Sequence, residues 1–232
     1  MKHILRAVAM LVLSLVTAAP VTRAQATQAA DLSANWAGLV ATNAYYTGVT
    51  ALIQAPTPAA LQSLGVAASW VGIGGSDTPD LIQAGVQEVN QGPFFSYQAW
   101  YEMLPEPSRN VVMDIEPGAW ILVDIHELAF DYWQITIVNG TNVVQRQVRY
   151  ASSHSSAEWI VEEPSLLSGR QLPLAGITGA NFAKMSAIAN GVTAIPAQLF
   201  PRPVVIVSPL GTVKAVPSPL GPDGASFSVT TR

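Results

Sequence analysis

The chain has 232 residues, of which 11% are charged and 50% are hydrophobic, and its formal net charge at pH 7 is −4. Nucleic-acid binding needs a basic stripe, so this weakly acidic composition excludes that class of partner. Cysteine is absent and there are only three histidines, which excludes a thiol nucleophile, a thiolate metal site and a histidine-rich metal site. We therefore expect neither a metal nor a cofactor.

The first 26 residues have the layout of a secretory signal peptide. Lys2 and Arg6 precede an apolar run from Ala7 to Pro20, and Ala24-Gln25-Ala26 fits a cleavage site. The run is too short to span a bilayer stably, and a retained membrane anchor is the alternative. The segment carries three basic and no acidic side chains, so its removal takes the net charge from −4 to −7. We expect a secreted protein, extracellular or periplasmic, that makes no membrane contact after processing.

Strand signals follow one another after a short lead over residues 27–34, which predicts one domain over residues 35–232. Short apolar or alternating runs are separated by turns that draw on 17 prolines and 17 glycines. One stretch, Asn181 to Asn190, also permits a helix. The predicted strands are Val49–Gln54, Ala68–Ile73, Leu81–Glu88, Phe95–Met103, Ala119–Ile125, Tyr132–Val138, Val143–Tyr150, Ala157–Glu162, Val204–Val207 and Ser226–Thr231.

The clearest local signal is a hairpin at Asn139-Gly140, between the strands Tyr132–Val138 and Val143–Tyr150. Asn139-Gly140-Thr141 also fits a glycosylation sequon, but a turn explains the same residues without a further assumption. About a dozen short strands with frequent turns predict an all-β fold, an antiparallel β-sandwich.

Three predicted strands each carry glutamine or glutamate on one face, because alternate side chains of a strand share a face. Glu158 and Glu162 share a face of their strand, and Gln83 shares a face with the small residue Gly85. If these strands adjoin, their polar faces form a groove lined by acids, amides and an indole. The alternative is an ordinary solvated sheet face. The third strand places Gln98, Trp100 and Glu102 on one face.

Two other catalytic interpretations are weaker. A serine hydrolase is suggested only by serines that neighbour His154 in sequence, and no nucleophile elbow accompanies them. A loop cation site is suggested by Asp77, Asp80 and Glu88, whose spacing matches no known ligand pattern. The serines in question are Ser152, Ser153, Ser155 and Ser156.

A glycosidase would need two carboxylates at a set separation. Glu158 and Glu162 lie about 13 Å apart along an extended strand. Glycosidase pairs are separated by roughly 5 to 9.5 Å, so these two do not form one. A cross-strand pair of Glu102 with Glu162 stays possible at this point.

Six short motifs, in order, resemble those of the glutamic peptidases, the eqolisin family first described in acid-secreting fungi. The resemblance covers about Ser33 to Pro164, with a weaker continuation through Leu172-Pro173-Leu174-Ala175. The motifs are Ser33-Ala34-Asn35-Trp36-Ala37-Gly38, Val49-Thr50-Ala51, Trp70-Val71-Gly72-Ile73, Ile82-Gln83-Ala84-Gly85-Val86, Tyr97-Gln98-Ala99-Trp100-Tyr101-Glu102 and Ala157-Glu158-Trp159-Ile160-Val161-Glu162.

The resemblance implies a sandwich of two bent antiparallel sheets with a substrate cleft on the concave face. It also implies a catalytic dyad of Gln83 and Glu162. Residues implied or expected to contact the substrate are Trp36, Trp100, Glu102, Gln98 and Glu158.

The sequence departs from the family pattern at two positions, where Gly74 and Gln98 replace aspartates. Fewer acids near the cleft imply a shifted pKa for the base and a shifted pH optimum.

A Glu–Gln pair suits amide hydrolysis in acid. A carboxylate can remain a base at a pH that protonates an imidazole, and a carboxamide donates hydrogen bonds at every pH. We therefore expect a secreted, monomeric, acid-acting endopeptidase in which Glu162 activates water and Gln83 stabilises the oxyanion of a polypeptide substrate. The alternative is a non-catalytic β-sandwich that binds carbohydrate or peptide in the same groove.

Overall fold

The computed structural model describes residues 29–58, 64–165 and 169–232. The signal-peptide prediction over residues 1–26 lies outside these ranges. Within them, no helix has both the length and the apolar character that crossing a membrane requires.

Nearly all the regular secondary structure of the described residues is β-strand, with one short helix. The first nine strands are β1 (Asp31–Ser33), β2 (Trp36–Ala41), β3 (Tyr46–Gln54), β4 (Thr57–Pro58), β5 (Leu64–Gly74), β6 (Leu81–Gln91), β7 (Phe94–Met103), β8 (Arg109–Val111) and β9 (Trp120–Ala129). The remaining elements are β10 (Tyr132–Asn139), β11 (Asn142–Arg149), β12 (Ala157–Glu162), β13 (Ile177–Thr178), β14 (Ala180–Ala189), β15 (Val192–Ala194), α1 (Pro196–Leu199), β16 (Arg202–Val207), β17 (Val213–Pro217) and β18 (Phe227–Thr231).

Hydrogen bonding joins most strands in the order β11-β10-β9-β3-β14-β18-β17-β16-β2-β12-β5-β6-β7-β8. The pairings along this path are antiparallel, and β1 joins β16 as a parallel strand. Strands that do not pair, such as β3 with β5 and β6 with β9, contact each other through their faces. The path therefore forms two packed layers, and the predicted antiparallel sandwich is confirmed. Because β1 belongs to the sheet, the folded part begins before residue 35, the predicted start of the domain.

The core fills the space between the layers. Trp133 of β10 and Trp159 of β12 are completely buried in it. Alternation along each strand sends one set of side chains inward, and burying one large aliphatic side chain contributes about 1.5–3 kcal/mol. Buried aliphatic residues of this core include Val49, Ile53, Val71, Ile73, Ile82, Val86, Ile121, Val123, Ile125, Ile135, Ile137 and Val161.

The stretch that permitted a helix, Asn181 to Asn190, forms strand β14 instead. Its alternation is interrupted by a shift of register between Ala183 and Ser186, where Lys184 has φ +50°. Such a bulge inserts one unpaired residue and displaces the period of two. This irregularity explains why the sequence pattern did not indicate a strand.

The predicted hairpin is confirmed, one residue from the expected position. Asn139 pairs with Asn142, so the central turn residues are Gly140 and Thr141. Gly140 has φ +59°, a conformation that glycine adopts at low cost.

Two glycines allow close backbone approach in the layer that carries the polar strands. A side chain at Gly38 would place Cβ 2.1 Å from a main-chain oxygen of β12, and one at Gly85 would place Cβ 2.1 Å from a main-chain oxygen of β5. Both glycines lie in the row of cross-strand partners that contains Ile160 and Trp70. Interior glycines of this kind mark bends or close contacts in a sheet.

Candidate active site

A cleft of about 770 Å³ crosses strands β2, β12, β5, β6 and β7 on the face turned away from the core. Ligand-binding pockets in proteins have volumes of about 300–1,000 Å³, and this cleft lies within that range. The described residues that line it include only two ionisable side chains, Glu102 and Glu162, and no histidine or lysine. The lining residues are Ser33, Asn35, Trp36, Val66, Ala68, Gly75, Ser76, Leu81, Gln83, Gln87, Val89, Trp100, Glu102, Leu104, Ser108, Glu162, Pro164, Ser165 and Leu172.

Glu162, at the end of β12, is held by hydrogen bonds to both carboxyl oxygens. The Asn35 side chain donates from Nδ2 to Oε1 at 3.1 Å. The Trp70 indole donates from Nε1 to Oε2 at 2.9 Å. Trp36 is the cross-strand neighbour of Glu162, and its ring meets that of Trp70 edge-on at 5.0 Å. The carboxyl group is therefore fixed in orientation at the floor of the cleft.

Burial raises the pKa of Glu162 from its ordinary value of 4.5 to about 7. The hydrogen bonds from Trp70 and Asn35 oppose this shift, because they stabilise the charged form, and the Glu102 charge adds to it. A carboxyl group that titrates near neutrality exchanges protons readily at physiological pH, as a general base or acid must.

Gln83 contacts the second cleft acid. Its Nε2 donates to Oε2 of Glu102 at 2.6 Å, and the two residues are cross-strand partners on β6 and β7. Burial raises the pKa of Glu102, and the hydrogen bond from Gln83 partly offsets this. A carboxamide has two N–H groups, so one remains for another acceptor in the cleft.

The pairing register gives the relative placement of Gln83 and Glu162. Gln83 pairs with Gly72 on β5, and Glu162 pairs with Ala68 on the other edge of the same strand. Two strand spacings and four residues would separate their α-carbons by about 16 Å on a flat sheet. The row of Gly85, where the backbones approach closely, lies between the two.

The three other predicted cleft residues that the structure places at the site are Trp36, Trp100 and Glu102. The indole N–H of Trp100 is buried and has no hydrogen-bond partner among the described residues. Together with Gln83 and Glu162, five of the seven predicted site residues line one cleft. Their roles remain a prediction.

Glu158 does not line the cleft, and the expectation that it contacts substrate is corrected. It is 0% exposed. Its cross-strand partners are Val40 and Gly72, and the side chains of Leu81 and Trp70 reach over Gly72. Burial raises the pKa of Glu158 well above its ordinary value.

Gln98 also lies away from the cleft lining. Its side-chain amide donates to the backbone oxygens of Ala99 and Val111, at 2.8 and 2.7 Å, which ties β7 to β8.

At the other departure from the family pattern, Gly74 has φ +83°, and Asp80 Oδ2 lies 2.5 Å from the position that a Cβ at residue 74 would take. A side chain at residue 74 would not fit this backbone.

The structure supports neither of the two weaker interpretations, the serine hydrolase and the loop cation site. The ring of His154 contacts the Ser152 backbone oxygen and the Glu127 carboxylate, at 2.8 and 3.2 Å, rather than a serine hydroxyl. Glu88 points into the core, and across the described residues no group of three or more His, Asp or Glu side chains could hold a metal ion.

Sequence reasoning did not single out Asn35 and Gln87, which line the cleft, or Trp70, which bonds to Glu162. Asn35 and Trp70 lie inside two of the six motifs, but their bonds to Glu162 depend on strand pairing. Gln87 follows Gln83 and Gly85 on the same face of β6, and this alternation could have identified it.

Three solved peptidase structures have a similar fold. Scytalido-glutamic peptidase, in complex with a peptide-based transition-state analog, aligns with a TM-score of 0.73 and 21% identity over 86% of this chain and 98% of that chain. SCP-B, a member of the Eqolisin family in complex with the tripeptide Ala-Ile-His, aligns with a TM-score of 0.70 and 19% identity, again over 86% of this chain and 98% of that chain. Aspergilloglutamic peptidase from Aspergillus niger aligns with a TM-score of 0.65 and 26% identity, over 72% of this chain and 99% of that chain.

The family itself is given by the sequence. No curated protein matches the chain. The model of the Peptidase A4 family matches residues 34–199, more than two thirds of the chain. The resemblance inferred from the six motifs is thus confirmed, and the chain belongs to the Peptidase A4 family.

Proposed function

We propose that this peptidase hydrolyses internal peptide bonds with Glu162 as general base and Gln83 as the donor that stabilises the oxyanion. One observation carries the proposal: the only ionisable side chains among the described cleft residues are two glutamates, and each is hydrogen-bonded. Four serines line the cleft, but a serine nucleophile needs an adjacent base such as histidine or lysine. Hydrolysis by carboxyl-activated water is the chemistry that these residues support.

In the proposed reaction, Glu162 takes a proton from a water molecule as the water oxygen bonds to the scissile carbonyl carbon. The carbonyl π electrons move onto oxygen, and the resulting oxyanion accepts the free Nε2–H of Gln83. Glu162 then gives its proton to the leaving nitrogen while the C–N bond breaks. The products are a carboxylic acid and an amine, and Glu162 is again a carboxylate.

Glu162 is favoured over Glu102 as the base because of what each carboxyl group contacts. Glu162 is held only by N–H donors of residues that need not move in the reaction. Glu102 instead accepts from Gln83, so its role is to hold the carboxamide in place. We propose Trp36 and Trp100 as walls that contact the substrate.

The pKa of Glu162 changes our expectation about pH. A base acts in its ionised form, and with a pKa of about 7 only about one hundredth of Glu162 is ionised at pH 5. The rate of the free enzyme should therefore rise with pH until about 7. We propose activity that extends from weak acid to neutrality.

We also propose that the protein is exported. The support is the basic start, the apolar run from Ala7 to Pro20 and the small residues around Ala24-Gln25-Ala26. Expression in an exporting bacterial host tests this: N-terminal sequencing of material from outside the cytoplasm should begin near residue 27. Protein that stays in the membrane fraction with Met1 intact would contradict export.

The function is tested by digestion of a denatured protein between pH 3 and 8, with pepstatin and EDTA as controls. We expect cleavage that neither inhibitor abolishes. Glu162→Gln should lower kcat by about 10²–10⁴-fold and Gln83→Ala by about 10²–10³-fold. Glu116→Gln, which changes an exposed carboxyl outside the cleft lining, is the matched control and should retain full activity.

Two results would refute the assignment. Near-normal turnover in either dyad variant would exclude that residue from the chemistry. Peptide binding without cleavage at any pH would show a binding module in place of an enzyme.

A further inference from the structure

Gln87 faces Glu162 across the cleft floor. On β5, Ala68 pairs with Glu162 on one side and with Gln87 on the other. Cross-strand partners project to the same face, so the two side chains stand in one row, about 10 Å apart at their α-carbons. Ala68 between them has only a methyl group, and it lines the cleft. A ligand that contacts Glu162 therefore lies beside Gln87.

The carboxamide of Gln87 is available to a ligand. The residue is half-buried in the cleft lining, and its side chain makes no hydrogen bond within the part of the chain that the structure describes. Gln83, by contrast, already donates to Glu102. A ligand that excludes water from Gln87 must satisfy its donor and acceptor, or it loses binding free energy.

A polypeptide backbone meets this requirement, because each of its amides offers one donor and one acceptor, as a carboxamide does. We propose that Gln87 is a substrate-positioning residue that hydrogen-bonds the backbone of the bound polypeptide beside the scissile bond, over Ala68. The inference rests on the proposed function, since it takes Glu162 to mark the scissile bond.

The first test uses Gln87→Ala, with Gln91→Ala as the matched control. Gln91 lies on the same face of β6, is exposed and does not line the cleft. For a fluorogenic octapeptide chosen from the products of protein digestion, Gln87→Ala should raise KM about 3- to 10-fold and change kcat less than twofold. Gln91→Ala should change neither. An unchanged KM in Gln87→Ala, in protein with wild-type circular dichroism, would overturn the proposal.

The second test has a readout that a purely structural role would not move. Gln87→Glu places a carboxylate about 10 Å from Glu162, and at low salt the repulsion should shift the rising limb of kcat/KM to higher pH by about one unit. Gln91→Glu should leave the limb in place. A limb that does not move in Gln87→Glu would show that the two residues do not face one site.

A binding measurement separates this inference from the proposed function. The probe is a reduced-amide octapeptide, which cannot be hydrolysed, and the signal is the fluorescence of the cleft tryptophans Trp36 and Trp100. Gln87→Ala should weaken its Kd about 3- to 10-fold, even if the wild-type protein proves unable to cleave peptides. Equal Kd values for wild type and Gln87→Ala would refute the role of Gln87, whatever the result for catalysis.

Discussion

Glu88 offers a quantitative test of the structure, because it is a carboxyl group buried in the core. Its side chain is 0% exposed, and neither carboxyl oxygen has a hydrogen-bond partner among the described residues. Its cross-strand partner Tyr97 uses its hydroxyl to donate to the backbone oxygen of Pro56, and does not bond to Glu88. Burial without a partner raises the pKa of Glu88 from 4.5 to about 7.

The sign of the effect follows from the two pKa values. Between about pH 4.5 and 7 the unfolded chain releases this proton while the folded protein keeps it, so the free energy of unfolding falls as pH rises. A shift of about 2.5 units corresponds to about 3 kcal/mol, all of which is lost above pH 7. Glu88→Gln carries no proton to release, so it escapes this loss.

The assay is urea unfolding of wild type and Glu88→Gln at pH 4.5 and pH 8. The wild-type minus variant difference in unfolding free energy should change by about 3 kcal/mol between the two pH values, with the variant gaining at pH 8. Any constant cost of burying the amide cancels in this comparison. Glu116→Gln, an exposed control, should show a change below about 0.5 kcal/mol. A difference for Glu88→Gln that is the same at both pH values would refute the reasoning.

Three further predictions concern the cleft and the sheet. Trp70→Phe removes a hydrogen bond that stabilises the Glu162 carboxylate, so the rising limb of the pH profile of kcat/KM should move about one unit to higher pH. The control Trp120→Phe, on β9, should leave the limb in place, and no movement in Trp70→Phe would contradict the contact. Gly85→Ala forces a methyl group against the backbone of β5 and should lower the free energy of unfolding in urea by about 3 kcal/mol. The control Gly92→Ala should lower it by about 1 kcal/mol, because its Cβ meets no atom but its φ is +80°. Equal losses would refute the close approach. Dialysis against EDTA should leave peptidase activity unchanged, since the described residues hold no cluster of metal ligands; lost activity that zinc restores would contradict this.

Strand periodicity predicted most of the fold and the cleft. Alternation placed Trp100 with Glu102 on one strand face and Gln83 on a face of its own strand, and all three residues line the cleft. The rule works here because a residue in a regular strand has only two directions available. It fails at β14, where the bulge near Lys184 displaces the alternation.

The remaining features depend on contacts between strands, which a single sequence does not specify. Glu158 lies on the predicted face but is 0% exposed, and its neighbours there include Gly72, which the side chains of Leu81 and Trp70 cover. The bonds that hold Glu162 likewise require a particular register of β12 between β2 and β5. The raised pKa values arise from the same burial, so they too were beyond the sequence.

The central claim is that Glu162 and Gln83 act on the same carbonyl group, and a crystal structure with a peptide-based transition-state analog tests it most directly. We predict that one oxygen of the tetrahedral centre accepts a hydrogen bond from Gln83 Nε2, and that the other lies within about 3 Å of a Glu162 carboxyl oxygen. An analog bound in the cleft with its tetrahedral centre out of hydrogen-bonding reach of either side chain would contradict the account.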